Sequence, residues 1–211
     1  MVSHPPDLSR EQGLWATGYR WIGGVDEAGR GAWAGPVVAA AVILPPDLPD
    51  LALLLAPVRD SKQLTPRCRE ACFALIVRHA ISYGIGAVPA QEIDRLGILQ
   101  ATRLAMRQAV ESLQPPPEYL LIDAVPLPEV GVPYSAIIKG DRDCLSIAAA
   151  SIIAKVTRDR WMMALEERLP GYGLGRHKGY GTRAHWEALR RLGPSEQHRR
   201  SFAPIRALGE V

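Results

Sequence analysis

The stretch GVDEAGRGAWAGPVVAAAVIL, residues 24–44, holds two apolar segments separated by a glycine-rich turn. The first segment begins upstream as RWIGGV (20–25), and the second is PVVAAAVIL (36–44). The second segment is apolar at every position, which is typical of a strand buried on both faces. We therefore predict two neighbouring strands that form a hairpin, with the acidic pair Asp26 and Glu27 beside the turn.

Three further segments have the pattern of strands. ISYGIGAV (81–88) alternates, and EYLLIDA (118–124) and YSAIIKGD (134–141) are short apolar runs with an Asp at or near the end. Helices are predicted after Thr65, over 97–113, over about 145–169 and after Thr182, whereas 45–59 is predicted as a loop with a short helical turn. This order of elements predicts an α/β fold in which helices pack on the faces of a mixed sheet.

The composition of the 211 residues, 47% hydrophobic and 22% charged, is that of a globular protein. The longest apolar runs are shorter than the roughly 20 residues that a membrane-spanning helix needs, and the first residues lack the pattern of a secretory signal. We therefore expect no contact with a membrane and a cytoplasmic location. Cys68, Cys72 and Cys144 lack the spacing of a zinc site and are interpreted as reduced thiols that pack as small apolar groups.

The net charge of +3 is unevenly distributed along the chain. Residues 155–206 contain 12 Lys and Arg against 5 Asp and Glu, a net charge of +7, so the remainder is acidic. A run of charges is usually a solvated helical surface, but clustering on this scale is also typical of proteins that bind a polyanion. Charge alone leaves both interpretations open.

Four carboxylates lie at the ends of apolar, strand-like runs: Asp26 with Glu27, Asp123 and Asp141. A single Asp in such a position is most often a turn residue that hydrogen-bonds its own backbone. Three such ends together favour a functional edge, because open α/β sheets bind ligands beyond the carboxyl ends of their strands. Neighbouring strand residues point to opposite faces. Glu27 is therefore expected to join Asp26 only if the strand stops there, which the following glycines allow.

Carboxylates that converge without compensation repel one another, and divalent cations relieve this repulsion. Oxygen-only ligands favour hard ions, so the predicted cofactor is Mg²⁺ or Mn²⁺ rather than zinc. Two such ions about 4 Å apart can stabilise the attacking and the leaving oxygen of a phosphodiester. The acidic cluster and the basic surface together favour a nuclease.

Two short segments near the acidic pair are candidates for substrate binding. Gly29, Arg30 and Gly31 form either a plain tight turn or a place where the backbone approaches a ribose 2′-OH. Lys62 lies just ahead of a predicted helix N-terminus, a location suited to phosphate, although an exposed lysine is as often only solvated.

A third candidate is the loop RHKGYGT (176–182). Tyr180 either anchors this loop in the core or stacks on a base or sugar while cations such as Lys178 hold phosphates. The residue types do not decide between these two roles.

Eight segments, in this order along residues 20–206, resemble the motifs of the bacterial ribonuclease HII family, the type 2 ribonucleases H: GVDEAGRG, AGPVVAAAV, DSKQLT, LIDA, IIKGD, SIAAASIIAKVTRDR, HKGYGT and HRRSFAPI. The resemblance implies an RNase H-like fold, with a mixed five-stranded sheet flanked by helices and a small helical C-terminal portion. It also implies hydrolysis of RNA in RNA–DNA hybrids and cutting on the 5′ side of single ribonucleotides embedded in duplex DNA. Primer removal and ribonucleotide excision repair use such reactions, and the implied products carry a 3′-hydroxyl and a 5′-phosphate.

The same resemblance implies roles for individual residues. Two divalent ions would bind with the substrate at the catalytic carboxylates, Asp26, Glu27, Asp123 and Asp141. Gly29, Arg30 and Gly31 correspond to the loop that senses the 2′-OH, and Tyr180 to the tyrosine that stacks on the sugar next to the junction. Ala32 and Trp33 stand where the family usually has Pro-Leu, a departure that bears on fine substrate preference rather than on chemistry.

We expect an N-terminal extension (1–19), a catalytic domain (20–170) and a C-terminal loop and helical portion (171–211) that completes the substrate site. A monomer is the family expectation. Two other functions fit the same residues: a polynucleotidyl transferase such as a resolvase, which acts on DNA alone, and a non-catalytic hybrid-binding module. Four mutually repelling carboxylates near a polyanion argue against the binding module.

Overall fold

The computed structural model describes residues 5–208, which form one mixed five-stranded sheet with helices on both faces. The strands are β1 (Ile22–Ala28), β2 (Val37–Ile43), β3 (Ser82–Val88), β4 (Tyr119–Asp123) and β5 (Tyr134–Ile137). Their order across the sheet is β3-β2-β1-β4-β5. Strand β2 is antiparallel to β1 and to β3, whereas β4 runs parallel to β1 and to β5. The predicted mixed α/β sheet is confirmed.

The described residues also form ten α-helices. They are α1 (Ser9–Ala16), α2 (Leu51–Leu54), α3 (Pro66–His79), α4 (Ala90–Leu96), α5 (Ile98–Glu111), α6 (Gly140–Asp143), α7 (Leu145–Arg168), α8 (Leu174–His177), α9 (Arg183–Leu192) and α10 (Ala203–Arg206). Two predicted caps are present, since Thr65 Oγ1 accepts a hydrogen bond from Cys68 N and Thr182 Oγ1 accepts one from His185 N, both at 3.2 Å. Helices α1, α4, α6 and α8 were not predicted.

Strand β2 is the centre of the core, because all seven of its residues are buried. Ala40 and Val42 pack with α3 and α7 on one face of the sheet. Ala39 and Ala41 pack with α5 on the other face. The prediction of a strand buried on both faces is confirmed.

Helix α7 lies directly on β1 because Gly24 has no side chain. A Cβ at Gly24 would stand 2.2 Å from the carbonyl carbon of Ser146 in the first turn of α7. Glu11 of α1 fixes the same turn, since its Oε1 accepts hydrogen bonds from Ser146 N at 2.8 Å and Ser146 Oγ at 2.6 Å. From this anchor, α7 extends along the sheet and carries its middle residues beneath the candidate site.

The C-terminal portion is helical as expected, with α8, α9 and α10, and it packs in a small apolar cluster around Met162, Tyr172 and Leu189. The proposed boundaries between extension, catalytic domain and C-terminal portion stay predictions. Within residues 5–208, no helix is both long and apolar enough to cross a bilayer. Cys72 and Cys144 are buried as predicted, but Cys68 is exposed because it lies on the solvent side of α3, so that prediction is wrong for Cys68.

Candidate active site

The candidate carboxylates gather at the sheet edge where the parallel strands β1 and β4 end. Asp123 is the last residue of β4, and its Oδ1 accepts a hydrogen bond from Gly140 N at 2.8 Å. This bond holds α6, and with it Asp141, against the end of β4. The prediction that Asp141 ends a strand is wrong: β5 ends at Ile137, and the left-handed backbone of Lys139 (φ 61°) turns the chain into α6 instead.

Glu27 reaches the same site as Asp26 without the predicted break in the strand. Strand β1 continues to Ala28, paired with β2 throughout, so the prediction that it stops at Asp26 is wrong. Its pairing with β4, however, ends at Val25, which leaves the last three residues open on that side. At this opening, Asp26 and Glu27 both line one cavity of about 330 Å³, called the acidic cavity.

Burial raises the pKa of all four carboxyl groups. Asp26 is only 4% exposed, and its pKa lies well above the usual range because of burial and then because of the negative charges of Glu27 and Asp123. Burial, followed by repulsion from Asp60 and Asp123, raises the pKa of Asp141 to about 6. The four groups thus lie within electrostatic reach of one another and together disfavour the ionised state.

Asp60 is a fifth acidic residue at this site, and it was not predicted. It is buried, its Oδ1 accepts a hydrogen bond from Lys62 N at 2.9 Å, and its charge raises the pKa of Asp141. Arg142 Nε lies 3.5 Å from the other carboxylate oxygen. The motif DSKQLT contains Asp60, but its local pattern is that of a cap at a helical turn. This pattern gives no sign that Asp60 lies near Asp141.

The donor set fits a hard divalent cation. Glu27 Oε2 is buried and has no hydrogen-bond partner among the described residues, while Glu27 Oε1 accepts a hydrogen bond from Arg30 Nη1 at 3.2 Å. Within residues 5–208 no three His, Cys, Asp or Glu side chains lie close enough together to hold a metal ion by themselves. Oxygen donors with raised pKa values and one unsatisfied buried oxygen are the chemistry that Mg²⁺ or Mn²⁺ would satisfy.

The turn at 29–31 lines the same cavity as the acidic pair. Gly29 has φ +94°, and a Cβ there would lie 2.0 Å from Arg158 Nε, so only glycine fits. Gly31 has open space around its Cα. The turn thus leaves its backbone accessible to a ligand while its first residue rests on a fixed side chain.

The other predicted binding residues divide between two neighbouring cavities. Lys62 and Tyr180 line the acidic cavity, and Lys62 Nζ lies 3.9 Å from Asp141 Oδ2. Lys178 does not line it; this residue lines the adjoining cavity, and its ammonium donates a hydrogen bond to Gly175 O. Lys155 of α7 lines both cavities and was not predicted, because the helical pattern of its segment carries no sign of function.

Two fully buried arginines hold together the turn at 29–31 and the tyrosine loop (residues 176–182), which carries Tyr180. Arg158 donates hydrogen bonds to the carbonyl oxygens of Ala34, Pro36 and Lys178 at 2.9–3.1 Å. Arg199 donates to those of Arg30 and Gly35 at 2.9–3.1 Å. Neither guanidinium has an ion pair among the described residues, and the Tyr180 ring centroid lies 5.4 Å from Arg158 Cζ. Both segments are thereby fixed to α7 and to the C-terminal segment.

Comparison with known proteins identifies the family. The sequence model of the family described as Ribonuclease HII matches residues 23–205. The chain belongs to the ribonuclease HII family. A ribonuclease HII of Geobacillus kaustophilus (strain HTA426) is 57% identical over 196 residues, which cover 93% of this chain and 73% of that protein. One from Chloroflexus aggregans (strain MD-66 / DSM 9485) is 56% identical, covering 95% and 94%.

Solved structures of ribonuclease HII and related enzymes have the same fold. Ribonuclease H2 from Pyrococcus horikoshii OT3 superposes with a TM-score of 0.74 at 28% identity, covering 90% of this chain and 97% of that one. RNase HII in the PCNA complex from Archaeoglobus fulgidus gives 0.73 at 27% identity, covering 89% and 96%. Bst-RNase HIII in complex with Mn²⁺ gives 0.69 at 23% identity, covering 92% and 70%, a likeness of fold alone.

The segment with Ala32 and Trp33 packs against the loop that carries Tyr180. Trp33 N donates a hydrogen bond to Gly179 O at 2.8 Å, and Trp33 O accepts one from Arg199 N at 2.8 Å. Its indole lies 5.5 Å from the His185 ring. These contacts tie the segment after the turn to the tyrosine loop.

Proposed function

We propose that this protein is a divalent-metal-dependent endoribonuclease that cuts RNA in RNA–DNA hybrids and cuts on the 5′ side of single ribonucleotides in duplex DNA. Ribonuclease H endonuclease activity follows from its family. The observation that carries the finer proposal is one cavity lined by Asp26, Glu27, the turn at 29–31 and Tyr180. A carboxylate pair and a backbone able to contact a 2′-OH lie on the same wall.

Asp26, Glu27, Asp123 and Asp141 would hold two Mg²⁺ or Mn²⁺ ions. When bound, the ions neutralise the carboxylates and stabilise the negative charge that develops on a phosphate during hydrolysis. Mn²⁺ is present in a solved RNase HIII of the same fold, and that ion belongs to that protein. Asp60 is buried and its charge raises the pKa of Asp141, so its proposed role is to tune Asp141.

The remaining residues of the cavity bind and orient the substrate. The backbone of 29–31 contacts the 2′-OH, the group that distinguishes RNA from DNA. Lys62 and Lys155 attract the phosphates beside the cut, since each is a cation on the wall of the acidic cavity. Tyr180 stacks on the next sugar on the 3′ side, where a deoxyribose packs better than a ribose with its polar hydroxyl.

We further propose a monomer in the cytoplasm, as expected from the sequence, with products that carry a 3′-hydroxyl and a 5′-phosphate. An archaeal RNase HII has been solved in complex with PCNA. For this chain, association with a partner similar to PCNA is a hypothesis that co-purification would test.

The test uses three labelled duplexes of one sequence: all DNA, DNA with a single ribonucleotide, and an RNA–DNA hybrid. With Mg²⁺ or Mn²⁺ we expect cutting of the second on the 5′ side of the ribonucleotide, cutting of the third, and none of the first. Cutting of the all-DNA duplex would instead indicate a resolvase-like transferase. Binding without cutting, with either metal, would indicate a hybrid-binding module.

A further inference from the structure

A second cavity, of about 370 Å³, adjoins the acidic cavity. Lys155 and Tyr180 line both, so they form a shared wall. The remaining polar wall of the second cavity comes from α3, α7 and the loop that precedes Tyr180. Its residues there are Arg69, Glu70, Asp159, Arg176, His177 and Lys178.

Cations outnumber anions in this second cavity. Asp159 is shared, since its carboxylate lies 2.7 Å from Lys155 Nζ and 3.7 Å from Arg69 Nη2. Glu70 is engaged by Arg160, which lies outside the cavity. Arg176 is exposed and takes part in none of the ion pairs found within residues 5–208. An anion that entered the cavity would therefore meet at least one uncompensated guanidinium.

The lysines of the second cavity share one carboxylate. Burial lowers the pKa of Lys155 and of Lys178, and the neighbouring Arg69 and Arg158 lower it further, while the charge of Asp159 opposes this shift. Both ammonium groups would be stabilised by a negative ligand held between them. Pro66, Val156 and Met163 supply an apolar floor, which suits the sugar that accompanies a phosphate better than a fully hydrated ion.

We propose that this second cavity binds a backbone phosphate of the cleaved strand, on the 3′ side of the nucleotide that contacts Tyr180, with Arg176 as the main phosphate ligand. This proposal rests on the proposed function. A strand that places its ribonucleotide at 29–31 and its next sugar on Tyr180 continues across the shared wall into this cavity. Arginine suits the site because its planar fork matches phosphate oxygens.

The test combines a protein variant with a neutral linkage. Binding of a DNA duplex with one ribonucleotide is measured by fluorescence anisotropy in chelator at fixed low salt. A series of duplexes carries one uncharged methylphosphonate at each successive 3′ linkage. For the natural protein we expect one linkage, beyond the sugar next to the ribonucleotide, at which loss of charge weakens binding about tenfold.

With Arg176→Gln we expect about the same tenfold loss on the natural duplex and no further loss at that one linkage. The matched control is Arg190→Gln, because Arg190 is also exposed and also belongs to the basic C-terminal quarter but does not line the cavity. That control should retain the sensitivity to the neutral linkage.

The proposal is wrong if the affinity loss caused by Arg176→Gln multiplies with the affinity loss caused by the neutral linkage at every linkage. It is also wrong if Arg176→Gln binds the natural duplex with wild-type affinity. A neutral linkage on the complementary strand that is silent only in Arg176→Gln would assign the cavity to that strand and also overturn it. Failure of the proposed function is distinguishable, because cutting at the ribonucleotide by the natural protein with metal is measured separately on the unmodified duplex.

Discussion

Around Asp26, buried carboxylates crowd together and are only partly compensated by Arg30 and Lys62, whereas around Tyr180 the buried polar groups are paired within the chain. Glu27 Oε2 has no partner among the described residues, and burial, followed by repulsion from Glu27 and Asp123, raises the pKa of Asp26. Arg158 and Arg199 are just as buried but each donates three hydrogen bonds to backbone carbonyls. The difference supports the proposal that cations complete the acidic cluster, whereas the polar groups around Tyr180 are already satisfied by hydrogen bonds within the chain.

Two buried histidines, His185 and His198, and the partly buried His177 extend this support. His198 Nδ1 accepts a hydrogen bond from Ser195 N at 3.0 Å, so His198 Nε2 carries the proton and donates to His185 Nε2 at 3.1 Å. His185 Nδ1 then donates to Tyr180 O at 3.0 Å. The His177 ring stacks on His185 with centroids 4.3 Å apart. This chain of hydrogen bonds holds the Tyr180 backbone and requires both linked rings to be neutral.

The largest effect is expected from the acidic cavity. Asp26→Asn should lower the cleavage rate on the order of 100-fold or more, because it removes a charged group where negative charge develops. In chelator near pH 8 the same variant should be more stable than wild type by ~1 kcal/mol, since the ionised Asp26 is disfavoured in the folded state. Rate measurements and chemical denaturation check both. A destabilised variant would mean that the Asp26 carboxylate stabilises the fold. The contrast between the carboxylates and the hydrogen-bonded groups around Tyr180 would then be wrong.

A smaller effect is expected where the turn rests on the buried arginine. Gly29→Ala should destabilise the protein by about 2 kcal/mol or more, since it combines a strained positive φ with a clash against Arg158. Gly31→Ala is the matched control, because its Cβ would meet nothing within 4 Å. We expect its unfolding free energy to be close to that of wild type. Equal stability of the two variants would show that the turn is not fixed in this way.

We expect His185 and His198 to make the protein less stable at mildly acidic pH. Burial lowers the pKa of His185 and of His198 to about 4. The unfolded chain takes up protons near pH 6.5, so this stability is present above pH 6.5 and is lost as pH falls toward 4, by up to about 1.4 kcal/mol per pH unit for each ring. The carboxylate cluster contributes to stability with the opposite sign, because burial raises the pKa of Asp141 to about 6.

Denaturation in chelator between pH 7 and pH 4.5 separates the two contributions. Asp141→Asn should make stability fall more steeply with decreasing pH, and His198→Gln should make it fall less steeply. His79→Gln is the control, because His79 lies on α3 outside the histidine cluster. Identical slopes in all four proteins would contradict the proposed states of both regions.

The smallest effect is expected for Lys62. Its side chain is 79% exposed and 3.9 Å from Asp141, so Lys62→Gln should change the unfolding free energy by no more than about 0.5 kcal/mol. Loss of a cation beside the cut should still slow cleavage about threefold to tenfold. Arg183→Gln, which breaks another exposed ion pair and does not line the acidic cavity, is the control and should leave the rate unchanged. A rate equal to wild type for Lys62→Gln would show that Lys62 is only solvated.

Much of the fold could be predicted because its signals are local. A strand buried on both faces must be apolar throughout, which identified β2, and a cap depends on residues three positions apart, which identified the starts of α3 and α9. Asp26, Glu27 and Asp123 were found because a carboxylate at a strand end is visible in the chain itself. Helix α4 was missed because Pro89 and Gly97, which bound it, suggest a loop.

The supports of the site could not be predicted, because they depend on distant contacts. Arg158 reaches a carbonyl 122 residues away, and Arg199 reaches one 169 residues away. Asp60 matters only because α6 turns Asp141 toward it. Glycines near Asp26 suggested an early end of β1, but pairing with β2 continues to Ala28 opposite Val38.

We assign cleavage to the carboxylates and recognition of the junction to Tyr180. Comparing two substrates tests this assignment most directly. Single-turnover cleavage of a duplex with one ribonucleotide and of a continuous hybrid is measured for wild type, Tyr180→Ala and Asp123→Asn. We expect Tyr180→Ala to lose about tenfold to a hundredfold more on the single ribonucleotide than on the hybrid, from loss of one aromatic stack. Asp123→Asn should lose activity equally on both. An equal loss on both substrates for Tyr180→Ala, or none, would contradict the assignment of Tyr180 as the residue that reads the junction.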